Sequence, residues 1–108
     1  MEFSHVGLIT DQPQPGEVFV AATRVWITDF VQHPFHIEWL RFEPDSPVSG
    51  PVRTQPHVAY KVASIAEAAL GMLVLIEPFQ PLPGLRVGFY LSRDGAVIEF
   101  MEYSQSPF

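Results

Sequence analysis

Short runs of alternating apolar and polar residues, separated by proline, glycine and serine, predict strands rather than long helices. Phe3 to Ile9 is the first. Strict alternation puts Phe3, His5, Gly7 and Ile9 on one face and Val6 and Leu8 on the other. Thr10 to Gly16 holds two prolines and a glycine and is a loop. Glu17 to Ala22 is apolar but too short to decide between extended and irregular. Arg24 to Phe30 predicts a strand, Gln32 to Pro34 a turn, and Phe35 to Phe42 another strand. On that strand His36, Glu38, Leu40 and Phe42 share a face, opposite Ile37, Trp39 and Arg41. Glu43 to Gln55 is a loop. His57 to Val62 is a strand with His57, Ala59 and Lys61 together on one face. Ser64-Ile65-Ala66-Glu67 is a capping box opening a short helix that stops at Gly71. Then come a short strand Val74–Glu77, a loop Pro78–Gly84, a strand Leu85–Leu91, a turn at Arg93-Asp94-Gly95 and a last strand, Ala96–Tyr103.

Two phrases occur twice. Ser4-His5-Val6-Gly7-Leu8 is echoed by Pro56-His57-Val58-Ala59-Tyr60, and His36-Ile37-Glu38-Trp39-Leu40 by Val97-Ile98-Glu99-Phe100-Met101. The chain therefore reads as two related modules, about 1–50 and 56–104, within one domain spanning 1–108. Each opens on a strand with a histidine and closes on a strand with a glutamate. The first module has a Pro/Gly loop where the second has its capped helix. A shortened or lost helix leaves apolar sheet uncovered, and a second copy of the chain would cover it, so a homodimer is expected.

A single strand histidine is usually structural, and a single glutamate usually faces solvent. Two of each in repeat register point instead to one divalent metal ion. The chain has no cysteine, so imidazole and carboxylate must hold it; Zn, Ni, Co, Mn and Fe all accept such ligands. The net charge of -6 argues against nucleic-acid or membrane partners. The start of the chain has no signal-peptide pattern and no run reaches the ~20 apolar residues of a membrane span, so a cytoplasmic location is expected.

A twice-repeated βαβββ unit with His on its first strand and Glu on its last resembles the vicinal oxygen chelate superfamily. That group includes glyoxalase I, methylmalonyl-CoA epimerase, fosfomycin-resistance enzymes, extradiol dioxygenases and bleomycin-binding proteins. The likeness is strongest from Pro56 to Tyr103, while Ile37 to Asp45 resembles a small-protein, glyoxalase-like branch. It implies an α+β fold in which paired modules form a curved mixed sheet. It also implies that His5, Glu38, His57 and Glu99 match the four metal ligands of glyoxalase I. The epimerases usually place Gln where Glu38 stands, and the fosfomycin and dioxygenase members need only three ligands.

The resemblance further implies a lyase or isomerase that takes a proton from a carbon beside a carbonyl, on a small substrate with oxygens on adjacent atoms. Glu99 is the first candidate base and Glu38 the second. His36, Lys61, Phe42 and Met101 are candidate substrate contacts, with rim or packing roles as the alternative. The short Thr10–Gly16 loop departs from glyoxalase I and argues against a glutathione conjugate. A non-catalytic small-molecule binder, a metal-dependent oxygenase and a metal-free dimeric scaffold are the other readings.

Overall fold

The computed structural model describes residues 1–104. Among these residues there are eight strands: β1 (Glu2–Ile9), β2 (Val18–Val20), β3 (Val25–Ile27), β4 (Ile37–Phe42), β5 (His57–Lys61), β6 (Leu73–Leu82), β7 (Leu85–Leu91) and β8 (Val97–Tyr103). The two short helices among the described residues are α1 (Pro51–Thr54) and α2 (Ile65–Ala68), with one 3₁₀ turn at Phe30–Gln32. The strands form one mixed sheet in the order β2-β3-β4-β1-β5-β8-β7-β6, curled into a half-barrel.

The two halves of that order mirror each other. β1 pairs with β4 in parallel, and β3 and β2 follow antiparallel. β5 pairs with β8 in parallel, and β7 and β6 follow antiparallel. An antiparallel β1–β5 pairing joins the halves. This is the expected α+β arrangement of two βαβββ-type modules. As expected too, the first module has no helix between β1 and β2; residues 10–17 cross as a loop.

The concave face carries the main core, in which Val87, Phe89, Val97 and Met101 pack with Val48 and Val52 from the α1 segment. Val20, Val25 and Leu40 continue it on the first module. On the convex face α2 lays Ile65 against Tyr90 and Phe100. Burying Ile65 contributes about 1.5–3 kcal/mol. Ser64 caps α2 as expected, its Oγ accepting from the Glu67 N–H at 3.2 Å. The Ile65 N–H, however, donates to the Glu102 carboxylate at 2.8 Å, so β8 supplies the second cap. The convex side of the first module has no such helix, and Val6, Leu8, Ile37 and Trp39 are only half-buried there.

Several sequence expectations need correction. β6 is ten residues long and runs through Pro78 and Pro81, where a loop was expected. It is an edge strand with three register shifts, so the missing proline N–H groups need no partner on its open side. β3 is three residues rather than seven, because Asp29 caps the 3₁₀ turn by accepting from the Val31 N–H at 3.0 Å. The expected Glu43–Gln55 loop contains α1, which has Pro51 in its first turn. β1 does not alternate strictly: Phe3 faces Tyr60 while His5 faces Ala59, so Ser4 is an extra residue forming a bulge. Phe3 and His5 therefore lie on opposite faces. Among the described residues no helix is long and apolar enough to cross a membrane.

Candidate metal centre

The four strands at the middle of the sheet each contribute one polar residue to the concave face: Glu38 from β4, His5 from β1, His57 from β5 and Glu99 from β8. Pairing fixes their mutual placement. Gly7 lies opposite both Glu38 and His57, and Ala59 lies opposite both His5 and Glu99. The sequence repeat has become a spatial two-fold, with one His and one Glu on each side of the β1–β5 seam.

All four residues are buried, and one ligand atom from each lies within 4.8 Å of all the others. His57 Nε2 is 3.1 Å from Glu99 Oε1 and 3.7 Å from Glu38 Oε1. His5 Nε2 is 3.3 Å from Glu99 Oε1 and 3.6 Å from Glu38 Oε1. Donors about 2.0–2.2 Å from one ion stand roughly 3.0–3.6 Å apart, so the spacing fits a shared cation. Orientation agrees with distance. Both Nε2 atoms are buried, yet neither makes a hydrogen bond to the carboxylates beside it. Unpaired buried nitrogens are costly unless something else satisfies them. The cluster can hold a metal ion.

Electrostatics describe what fills that role without a metal. Burial opposes a charge on His5, but the Glu38 and Glu99 carboxylates outweigh it and raise its pKa to about 9. Glu99 is moved the other way: burial favours its neutral form, but His5 and His57 outweigh that and hold it well below the usual carboxylate range. Without a metal, the two carboxylates favour a proton on His5.

Neighbouring groups hold the ligands in place. Ser4 Oγ lies 2.9 Å from His5 Nδ1. With His5 Nε2 free to ligate, Nδ1 carries the proton and donates to Ser4. The bulge makes this possible, because it turns the Ser4 side chain inward beside the residue that follows it. Phe30 stacks on His5 at 4.1 Å between ring centres, and Phe89 meets His57 edge-on at 5.2 Å. Gly7 makes room for the His57 ring: a Cβ there would lie 2.0 Å from His57 Cε1. Sequence reasoning missed Ser4, Gly7 and Phe30. A glycine inside a strand pattern marks a close approach and was a usable signal for Gly7. The bulge left none.

The site opens into a cavity of about 110 Å³ lined by His5, Glu38, Glu99 and, apart from Thr23, apolar side chains. Phe42 and Met101 are in its wall. His36 and Lys61 are not. His36 precedes β4 with φ 52°, which breaks the alternation and leaves it exposed, off the face of Glu38. Its Nδ1 donates to the Ser4 carbonyl at 2.9 Å. Lys61 ends β5, reaches Glu2 at 3.5 Å and lies over the Tyr103 ring.

The curled mixed sheet is the arrangement expected from the sequence. A solved structure of a hypothetical protein from Bacillus halodurans C-125 shares the architecture, with a TM-score of 0.71 at 20% identity, over 99% of this chain and 97% of that one. A glyoxalase family protein from Bacillus cereus aligns with a TM-score of 0.42 at 14% identity, over 97% of this chain and 95% of that one. No family model and no curated protein sequence matches the chain.

The Ser4 contact makes a prediction. Ser4→Ala is expected to weaken metal binding by about 10–100-fold with the fold intact, and Ser4→Thr to restore most of it. Competition against a calibrated chelator reads the change. Unaltered affinity in Ser4→Ala would mean that the Phe30 stack alone orients His5.

Proposed function

We propose that this protein is a divalent-metal-dependent lyase or isomerase of glyoxalase type, with His5, Glu38, His57 and Glu99 as ligands. The observation that carries this reading is the convergence of four buried donors, two of them imidazole nitrogens lacking hydrogen-bond partners, at the end of an apolar cavity. A metal held there would supply Lewis-acid polarisation of a carbonyl oxygen. The chain's residues would do the rest. The apolar wall excludes water and strengthens electrostatics inside the cavity. A carboxylate at the cavity end takes the proton from the carbon beside the carbonyl and returns it.

The geometry favours Glu38 over Glu99 for that proton. Glu99 is held at 3.1–3.3 Å by both imidazoles, whereas Glu38 stands at 3.6–3.7 Å and is the looser of the two. On this reading Glu99 anchors the ion and Glu38 swings.

Elemental mass spectrometry on untagged protein, purified without chelator, tests the proposal. About one equivalent of Zn, Ni, Co, Mn or Fe is expected per chain. Glu99→Gln should lose it and Glu38→Gln should keep the larger share. A protein that takes up no metal, even when reloaded, would defeat the enzyme reading. The apolar wall favours a second reading in that case, a metal-free binder of small apolar molecules. Iron in the preparation would direct assays to oxygen consumption.

The proposal extends to assembly. The half-buried convex face of the first module, without a helix of its own, is where a second copy would pack. Sedimentation at micromolar concentration should show a dimer, and a monomer would remove that element.

A further inference from the structure

The cavity has one polar end and a hydrocarbon remainder. Val25, Leu40, Phe42, Leu85, Val87 and Met101 are representative of its wall, and among the described residues Thr23 is the one polar side chain there besides the ligands. The chain has six lysines and arginines, all among the described residues, and none lines the cavity. Five have other engagements. Arg24 pairs with Asp45 at 2.7 Å, Arg41 with Glu17, Arg86 with Glu102 at 3.3 Å and Lys61 with Glu2 at 3.5 Å. Arg53 donates to the carbonyls of Ser46, Val48 and Glu43 and lies over the Phe42 ring. The sixth, Arg93, sits in the β7–β8 turn.

The ligand set supplies no surplus positive charge either. Two carboxylates cancel a divalent ion, and two neutral imidazoles add nothing. An anionic substrate would bring an unpaired charge into an apolar chamber beside Glu38 and Glu99, which is unfavourable without a paired cation. Size points the same way. A cavity of about 110 Å³ is well under the roughly 300–1,000 Å³ of pockets that enclose drug-sized ligands.

We infer that the substrate class of this site is a small, neutral, largely apolar molecule with oxygens on adjacent carbons, bearing no phosphate, thioester carrier or carboxylate. This rests on the metal-dependent reading above and narrows it. Hydroxyketones and diketones on a short alkyl body fit; phosphorylated, carboxylated or glutathione-linked compounds do not.

The test uses a matched pair, acetoin and lactate. Both carry a methyl group beside vicinal oxygens and are small enough for the cavity, but only lactate is an anion. A carboxylate is the stronger metal ligand in water, so capture by an exposed ion would favour lactate. Calorimetric titration of the full chain, metal-loaded and metal-stripped, should show the hydroxyketone binding at least tenfold more tightly than lactate. Thr23→Lys, which places a cation in the wall, should shift that ratio at least tenfold towards lactate. Equal or tighter binding of lactate by the wild-type protein would overturn the inference and leave the metal reading standing. So would failure of both probes to bind at millimolar concentration. A hydroxyketone preference in protein that takes up no metal would support the substrate class and defeat the metal-dependent reading.

Discussion

Gly7→Ala is expected to abolish metal binding nearly as completely as the His5→Ala/Glu99→Ala double variant, although Gly7 ligates nothing. Gly7 faces His57 across the β1–β5 seam, and a methyl group there would overlap the imidazole, at 2.0 Å from Cε1 and 2.5 Å from both ring nitrogens. The ring has nowhere to go. It is 1% exposed, with Phe89 edge-on at 5.2 Å and His5 at 5.6 Å. Overpacking of this kind costs about 1–3 kcal/mol, which a folded domain survives, but the displaced ring takes one of four ligands with it. Loss of metal affinity by at least about 100-fold is the expected outcome, with circular dichroism unchanged. Wild-type affinity in Gly7→Ala would show that His57 is not a ligand. The equivalent position in the second module is Ala59, opposite His5, where β1 carries the Ser4 bulge. The two modules thus differ at this position, one with a glycine against the imidazole and one with an alanine beside a bulge.

This difference also marks how far the sequence could be read. The four central residues were legible because the repeat placed them twice in the same register, and sheet pairing converts register into position. The lost helix was legible because Pro and Gly fill the space between β1 and β2. What failed was strict alternation. One extra residue at Ser4 moved Phe3 to the other face, and the positive φ of His36 removed it from the face of Glu38. Neither residue type announces such a change. Lys61 follows the expected parity, lying opposite Met101, but it ends its strand and its long side chain goes to Glu2. Pro78 and Pro81 read as a loop because composition does not reveal which strand lies at an edge. The apolar, cation-free wall was not legible, since it is assembled from both ends of the sheet: Val20 and Val25 from one side, Phe79 and Leu85 from the other.

Metal loading is expected to raise thermal stability, and to do so more as pH rises. Without metal, the raised pKa of His5 means that its protonated form stabilises the fold; that contribution is complete below about pH 6.5 and is lost as pH rises through about 9. Glu99, with its pKa lowered, contributes above about pH 4.5 and loses that contribution as pH falls. The metal-free protein is therefore most stable in mildly acidic solution. A metal ion must displace the His5 proton to bind. Its apparent affinity should rise about tenfold per pH unit from pH 6.5 and level off near pH 9, with about one proton released per ion bound at pH 7. At a free metal concentration 100 times the dissociation constant, stabilisation is about 2.7 kcal/mol, or a rise in Tm of roughly 10 °C for a domain of this size. Scanning calorimetry at pH 6, 7 and 8 on chelator-stripped and reloaded protein measures both effects. A Tm rise that does not grow with pH, or proton release near zero, would mean that His5 does not surrender a proton to the ion, and its place among the ligands would fall.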